Sequence, residues 1–294
     1  MANLKEIRNR ISSVGSTMQI TSAMKMVSAA KLKRAQDAIV QMRPYAVKLK
    51  EILTNLSATL DLSENAFSEE REGGKTLIVG ITSNRGLCGG FNNNIVKNIN
   101  HTIATEFNNS ADIHVMCLGK KIRDAYKRSD RFFTNEYLTE REDVYADLTF
   151  ENVSEVAIEL MELYKSGEFS RICVVYNRFV NAATQKVEME QFLPIQAPAE
   201  SNEDSTNTGD YIFEPSKEEI IEDLIPKSLK VQLFKALLDS NAAEHGARMT
   251  AMHKATDNAS ELQKELKLSY NKARQAAITN EILEIVGGAE ALNA

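Results

Sequence analysis

Tryptophan is absent from these 294 residues, and proline (5), glycine (13) and cysteine (3) are scarce. So few chain-turning residues argue against a loop-rich β protein. The cysteines, Cys88, Cys117 and Cys173, are odd in number and widely spaced without a Cys-x-x-Cys, so neither a disulfide framework nor a zinc ribbon can be assembled. A reducing compartment suits them. No apolar run approaches the ~20 residues that a bilayer span requires, and MANLKEIRNR carries charges where a signal peptide needs its apolar stretch. The chain is not expected to cross a membrane unaided. What is present, 43% hydrophobic and 26% charged residues, is a globular balance, enough for one large domain or two ordinary ones.

The formal charge of −6 is unevenly spread: residues 1–60 hold ten Lys/Arg and three acids (Glu6, Asp37, Glu51), a net +7. A basic amphipathic start fits nucleic acid, a membrane surface or an acidic protein. No aromatics interleave these cations as base stacking would need, so a protein partner or a solvated face is favoured and nucleic acid is not expected.

With Leu4 as a heptad a position, the a/d places run without a skip through Ile7, Ile11, Val14 and Met18 to Leu60. This predicts one long helix over 1–60 with a narrow coiled-coil seam, roughly 85 Å long at 1.5 Å per residue. Gly15 should weaken it, and Pro44 should kink or end it near residue 43. At places 21, 25 and 28 the seam becomes Thr21, Lys25 and Ser28, while Met24, Met26 and Val27 point elsewhere. The apolar face is expected to rotate there toward another partner.

Residues 61–74 are polar, acidic and end in a glycine pair, which predicts a linker. An α/β domain is expected over 75–195. Its strands are TLIVGITS (76–83), IHVMCLG (113–119), RICVVYN (171–177) and the outer strand TQKVEMEQFLPI (184–195), with helices near 91–108, 119–128 and 150–166. Alternation of this kind implies a mostly parallel, Rossmann-like sheet. An acidic loop and connector at 196–226 precedes a second long helix over 227–286, which Gly287-Gly288 should stop. Its expected seam runs Ala255, Ala259, Leu262, Leu266, Ser269, Ala273, Ala276, Asn280 and Leu283. Two unpartnered seams cannot stay in water, so the terminal helices are expected to pair antiparallel, with the α/β body at one end of the rod.

Catalytic signals are weak. SNRGLCGGFNNN (83–94) leaves the first strand and enters a helix, where a phosphate loop would sit, but neither G-x-x-x-x-G-K-[ST] nor G-x-G-x-x-G is present. A tight strand-to-helix turn explains its glycines. His245 and His253 stand two helical turns apart, too far to share a metal, and Glu218, Glu219, Glu222 and Asp223 read as a solvated face. Cys88 lacks a legible basic partner. No catalytic residue, cofactor or metal site is expected.

LKEIRNRISSVGSTMQITSAMKMVSAAKLKRAQ (4–36) and ARMTAMHKATDNASELQKELKLSYNKARQAAITNEILEIVGGAEAL (247–292) resemble the gamma subunit of F-type ATP synthase, and SNRGLCGGFN (83–92) is similar to that family's signature turn. The resemblance implies a non-catalytic rotor. Its paired terminal helices would turn inside a hexamer of alpha and beta subunits, with the α/β domain against the epsilon subunit and the membrane c-ring. Proton flow would thereby be coupled to ATP synthesis, or hydrolysis to pumping.

By the same resemblance Met24 and Lys25 would meet an acidic lever of beta, and Arg248, Arg274, Gln275 and Thr279 would touch the catalytic subunits. Asn84 and Phe91 depart from the family's usual Asp and Tyr. The redox insertion of the chloroplast branch is missing, so thiol regulation is not expected. Because the likeness begins at Leu4, no room for a transit peptide is expected, and a bacterial location on the cytoplasmic side of the membrane, peripheral and indirect, is implied. The competing readings are a nucleotide-binding enzyme using the 83–94 loop and a generic coiled-coil scaffold.

Overall fold

The computed structural model describes residues 4–57, 66–69, 71, 73–107, 112–135, 144, 147–195 and 217–293. In chain order these form α1 (Leu4–Ser57), β1 (Thr76–Ile81), α2 (Phe91–Thr105), β2 (Ile113–Leu118), α3 (Lys120–Tyr126), β3 (Phe132–Phe133), α4 (Phe150–Lys165), β4 (Arg171–Phe179), β5 (Gln185–Leu193) and α5 (Lys217–Asn293). The fold is α/β, with an antiparallel pair of long terminal helices and a Rossmann-like sheet. It divides into two compact units, Met1–Ser28 with Met249–Ala294, and Ala29–Arg248.

The larger unit is built on a five-stranded sheet of order β3-β2-β1-β4-β5. β1 lies parallel to β2 and β4, and β2 to β3, while β5 runs antiparallel to β4 as the outer strand expected from its alternation. All six residues of β1 are buried, which is why TLIVGI reads as an unbroken apolar run: both of its faces are covered. One face packs Ile78, Val115 and Val175 against Ile95 and Ile99 of α2 and Ile122 of α3. The other sets Leu77, Val79 and Ile81 with Val153, Leu160 and Tyr164 of α4 and Leu229, Leu233 and Leu237 of α5. Cys117 and Cys173 are buried and serve as small side chains of the core.

The expected linker is more anchored than its composition suggests. Phe67 is buried in the main core, Tyr164 donates its hydroxyl to the Glu69 carbonyl at 2.5 Å, and Arg71 donates to the Tyr164 carbonyl at 2.6 Å. Phe67, the Glu69 carbonyl and Arg71 together dock the segment. β3, only two residues long, was not expected. Of the acidic connector, 196–216 lies outside the described residues, whereas 217–226 already belongs to α5, which passes through Pro226.

In the smaller unit the two terminal helices pair antiparallel. Arg8 meets Tyr270 (2.9 Å), Thr21 meets Thr256 (2.8 Å) and Lys25 meets His253 (3.3 Å), one number falling as the other rises. The α1 heptad register holds: every a/d place from Leu4 to Leu49 is buried or half-buried, and most others are exposed. Gly15 is a close-approach site, since a Cβ there would stand 2.9 Å from Nε2 of Gln263. Helix α1 also continues through Pro44, at an exposed position where the carbonyl freed one turn earlier can face water.

Three expectations are corrected here. The expected rotation holds only in part: Met26 and Val27 do turn apolar side chains into water, but the seam places at 21–28 do not leave the pair. Thr21 and Ser28 stay buried in the pair, with hydroxyls that donate to the Met18 (3.1 Å) and Met24 (2.8 Å) carbonyls of their own helix. The α5 seam runs instead through Met252, Thr256, Ala259, Gln263, Leu266, Tyr270, Ala273 and Ala277, so that Leu262, Ser269 and Ala276 are exposed. Three of those eight places, Thr256, Gln263 and Tyr270, carry polar groups, and an apolar-only pattern misses them. Finally, Gly287-Gly288 does not end α5, which continues to Asn293: both glycines are exposed and neither takes a positive φ. In a helix interior glycine costs about 1 kcal/mol, a weakening and not a stop.

Candidate functional site: the signature turn and the helix faces

The chain leaves β1 for β2 and β3 on one side and returns to β4 on the other, so the strand order reverses between β1 and β4. In doubly wound sheets that crevice, at the carboxyl ends of the strands, is the usual ligand position. Here it receives the turn after β1, and α5 fills it. Ala243 and Cys88 are fully buried against Phe91, with Phe179 and Ala247 packed around them. Gly246 permits the approach, because a Cβ there would meet the Ala182 backbone at 3.2 Å.

The turn is held by its own polar groups. Asn92 accepts from the Ser83 backbone N–H at 3.0 Å and donates to Cys88 Sγ at 3.2 Å, and Ser83 Oγ donates to the Arg85 carbonyl at 2.7 Å. Asn84 accepts from the Lys120 backbone N–H at 3.0 Å, tying the turn to the start of α3. Asn177, 1% exposed on β4, donates to the Phe91 carbonyl at 3.1 Å. Leu87 sits at φ 65°, the left-handed region that side chains avoid, and is 66% exposed.

Arg248 closes the crevice. It is 7% exposed, and its guanidinium donates to the carbonyl of Gly86, to that of Arg85 (3.3 Å) and to the Glu244 carboxylate (2.5 Å). The turn therefore offers carbonyl acceptors to α5 and receives a cation, the reverse polarity of a loop that cradles phosphate with N–H donors. The Arg85 and Gly86 carbonyls thus serve contact with the helix within the chain.

The other sequence-derived site residues are not brought into this crevice. Met24 and Lys25 are half-buried on α1, and Arg274, Gln275 and Thr279 are exposed on α5, where the Thr279 hydroxyl donates to the Gln275 carbonyl at 2.9 Å. Beside Met24 and Lys25, Ile20 (60%), Met26 (64%) and Val27 (57%) form an exposed apolar stripe. A second one, Ile278, Ile282, Leu283, Ile285 and Val286, occupies α5 beyond the last half-buried seam residue, Ala277. Among the described residues no group of three or more His, Cys, Asp or Glu is placed to hold a metal.

Two dehydrated titratable groups lie on α5: buried Asp239, which the sequence did not single out, and half-buried His245, which it weighed only as a metal ligand. Burial pushes the Asp239 carboxyl up to about 6; nearby Glu190 adds to this, while Lys235, Arg178 and Arg43 oppose it. Burial pushes His245 down to about 4, helped by the cations Lys31 and Arg248. The residue types gave no signal, because only packing reveals which helical Asp or His is dehydrated.

A sequence model of the ATP synthase family matches residues 3–292. The chain belongs to that family. It is 62% identical over 294 residues to the ATP synthase gamma chain of Flavobacterium johnsoniae, covering 100% of both chains. It is 54% identical to the gamma chain of Cytophaga hutchinsonii, again with 100% of both covered. Among solved structures it resembles the Euglena gracilis mitochondrial ATP synthase rotor with a TM-score of 0.66 at 21% identity, covering 94% of this chain and 98% of that one. Within the ATP synthase family the full-length relatives are gamma chains, so this is a gamma-type subunit and not a catalytic one.

Proposed function

We propose that the chain is the rotating central stalk of a proton-translocating ATP synthase, coupling ion flow through the membrane sector to synthesis or hydrolysis at beta-subunit sites. One observation carries this reading. The terminal helices form an antiparallel pair whose seam is filled, yet stripes at 20–27 and 278–286 leave large apolar side chains in water. Isolated surfaces of this kind mark contacts with other proteins. An asymmetric shaft inside a ring of subunits needs a closed inner seam and an apolar outer face. Arg274, Gln275 and Thr279, exposed beside the second stripe, and Met24 and Lys25 beside the first are the contacts assigned to alpha and beta subunits.

The epsilon subunit and the c-ring are the remaining partners in this reading, and the location is peripheral, on the cytoplasmic side of a bacterial membrane. Among the described residues no helix is long and apolar enough to cross a membrane, so attachment would run through the c-ring. The test is reconstitution of alpha, beta, epsilon and the membrane sector in vesicles. With this chain added, proton-driven ATP synthesis is expected; equal synthesis in its absence would refute the proposal. Lys25→Glu is expected to impair coupling more than assembly, because like charges would then meet at the acidic lever of beta. Unchanged coupling would remove that contact.

A further inference from the structure

We propose that Arg248 is a positioning residue for the turn at 84–90, acting from inside the chain and not as a partner contact; this rests on the stalk reading above. Three observations converge on it. The guanidinium is nine-tenths buried, so little of it is left for another subunit. Its two terminal nitrogens are engaged by the Arg85 and Gly86 carbonyls and by Glu244, whose side chain is only 12% exposed. The turn so held presents two outward side chains: Arg85 is exposed, and Leu87 is fixed at φ 65° with most of its surface in water.

A left-handed leucine with an exposed side chain is held in an unfavourable backbone region and gains nothing from burial, so the surrounding contacts must impose that conformation. The contact on the carbonyl immediately before Leu87 is Arg248. A fork that bonds two successive carbonyls fixes the peptide between them, as a point-like ammonium cannot. The helix residue thereby sets the direction in which Arg85 and Leu87 face a partner.

Lysine in place of Arg248 keeps the charge and removes the fork, which separates positioning from charge. Full-length Arg248→Lys should show at least tenfold faster amide hydrogen exchange in 86–91, with exchange in β1 and α4 unchanged. Reassembled with alpha, beta, epsilon and the membrane sector, it should hydrolyse ATP while pumping fewer protons per ATP than wild type. Glu244→Gln, which leaves Arg248 in place but frees its orientation, should give a smaller change of the same kind. Wild-type exchange in the turn of Arg248→Lys would overturn the proposal. So would faster exchange with a wild-type pumping ratio, since the turn's position would then not matter to coupling. Both outcomes leave the stalk reading standing, because that one is refuted by coupled synthesis without the chain.

Discussion

The same two helices bury their side chains differently in the two units. In Ala29–Arg248, α5 joins a core in which Leu233 and Leu237 have no exposed surface and β1 is covered on both faces. In Met1–Ser28 with Met249–Ala294 the seam includes Thr21, Thr256, Gln263 and Tyr270, and large apolar residues remain in water. The first is a core that the chain completes alone. The second leaves apolar side chains open, which the stalk proposal gives to other chains, so its stability and its function are expected to be set by different residues.

Leu77→Ala should break this contrast most severely, costing about 3 kcal/mol by removing a fully buried side chain from the larger unit, as read by urea denaturation. Next come the dehydrated titratable groups of α5, Asp239 and His245. Asp239 has a folded pKa of about 6, above its unfolded value, so its contribution to stability is full below about pH 4 and is lost as pH rises through 6. His245 has a folded value of about 4, below its unfolded one, so its contribution is present above about 6.5 and is lost as pH falls through 4.

Over the shared window the two slopes oppose each other and nearly cancel. Asp239→Asn should therefore raise stability at pH 7 by about 3 kcal/mol and leave the chain more acid-sensitive than wild type between pH 6.5 and 4. His245→Gln should do the reverse, gaining stability relative to wild type as pH falls toward 4. Urea midpoints at several pH values read both effects, and parallel curves for all three proteins would contradict the pairing.

Thr21→Ala removes a hydroxyl shared across the helix pair and should cost about 1 kcal/mol in thermal denaturation of the full chain. Ile282→Asn, at a position 55% exposed, should change the stability of the isolated chain by less than about 0.5 kcal/mol yet weaken assembly with alpha and beta subunits. A stability loss as large as that of Leu77→Ala would mean that the stripe is part of a core.

What could be read in advance follows the same division. The α1 seam was legible because its places are mostly apolar, and the sheet because β1, β2 and β4 are short, mostly apolar runs that include β-branched residues. The α5 seam was only half legible: Gln263 and Tyr270 face the partner helix by virtue of Gly15 and Arg8, which lie far away in sequence. The glycines of the signature turn correctly suggested a tight strand-to-helix connection. That Arg248 clamps it could not be seen, because the contact spans 162 residues and involves backbone carbonyls, which carry no residue-type signature.

The antiparallel pairing of the chain ends is tested most directly by a disulfide between Thr21→Cys and Thr256→Cys, whose native hydroxyls lie 2.8 Å apart. The account predicts that the bond forms in the assembled enzyme and leaves proton-driven ATP synthesis intact, because both cysteines belong to one rigid shaft that turns as a body. Failure of the pair to cross-link, or synthesis that stops when it does and resumes on reduction, would contradict it.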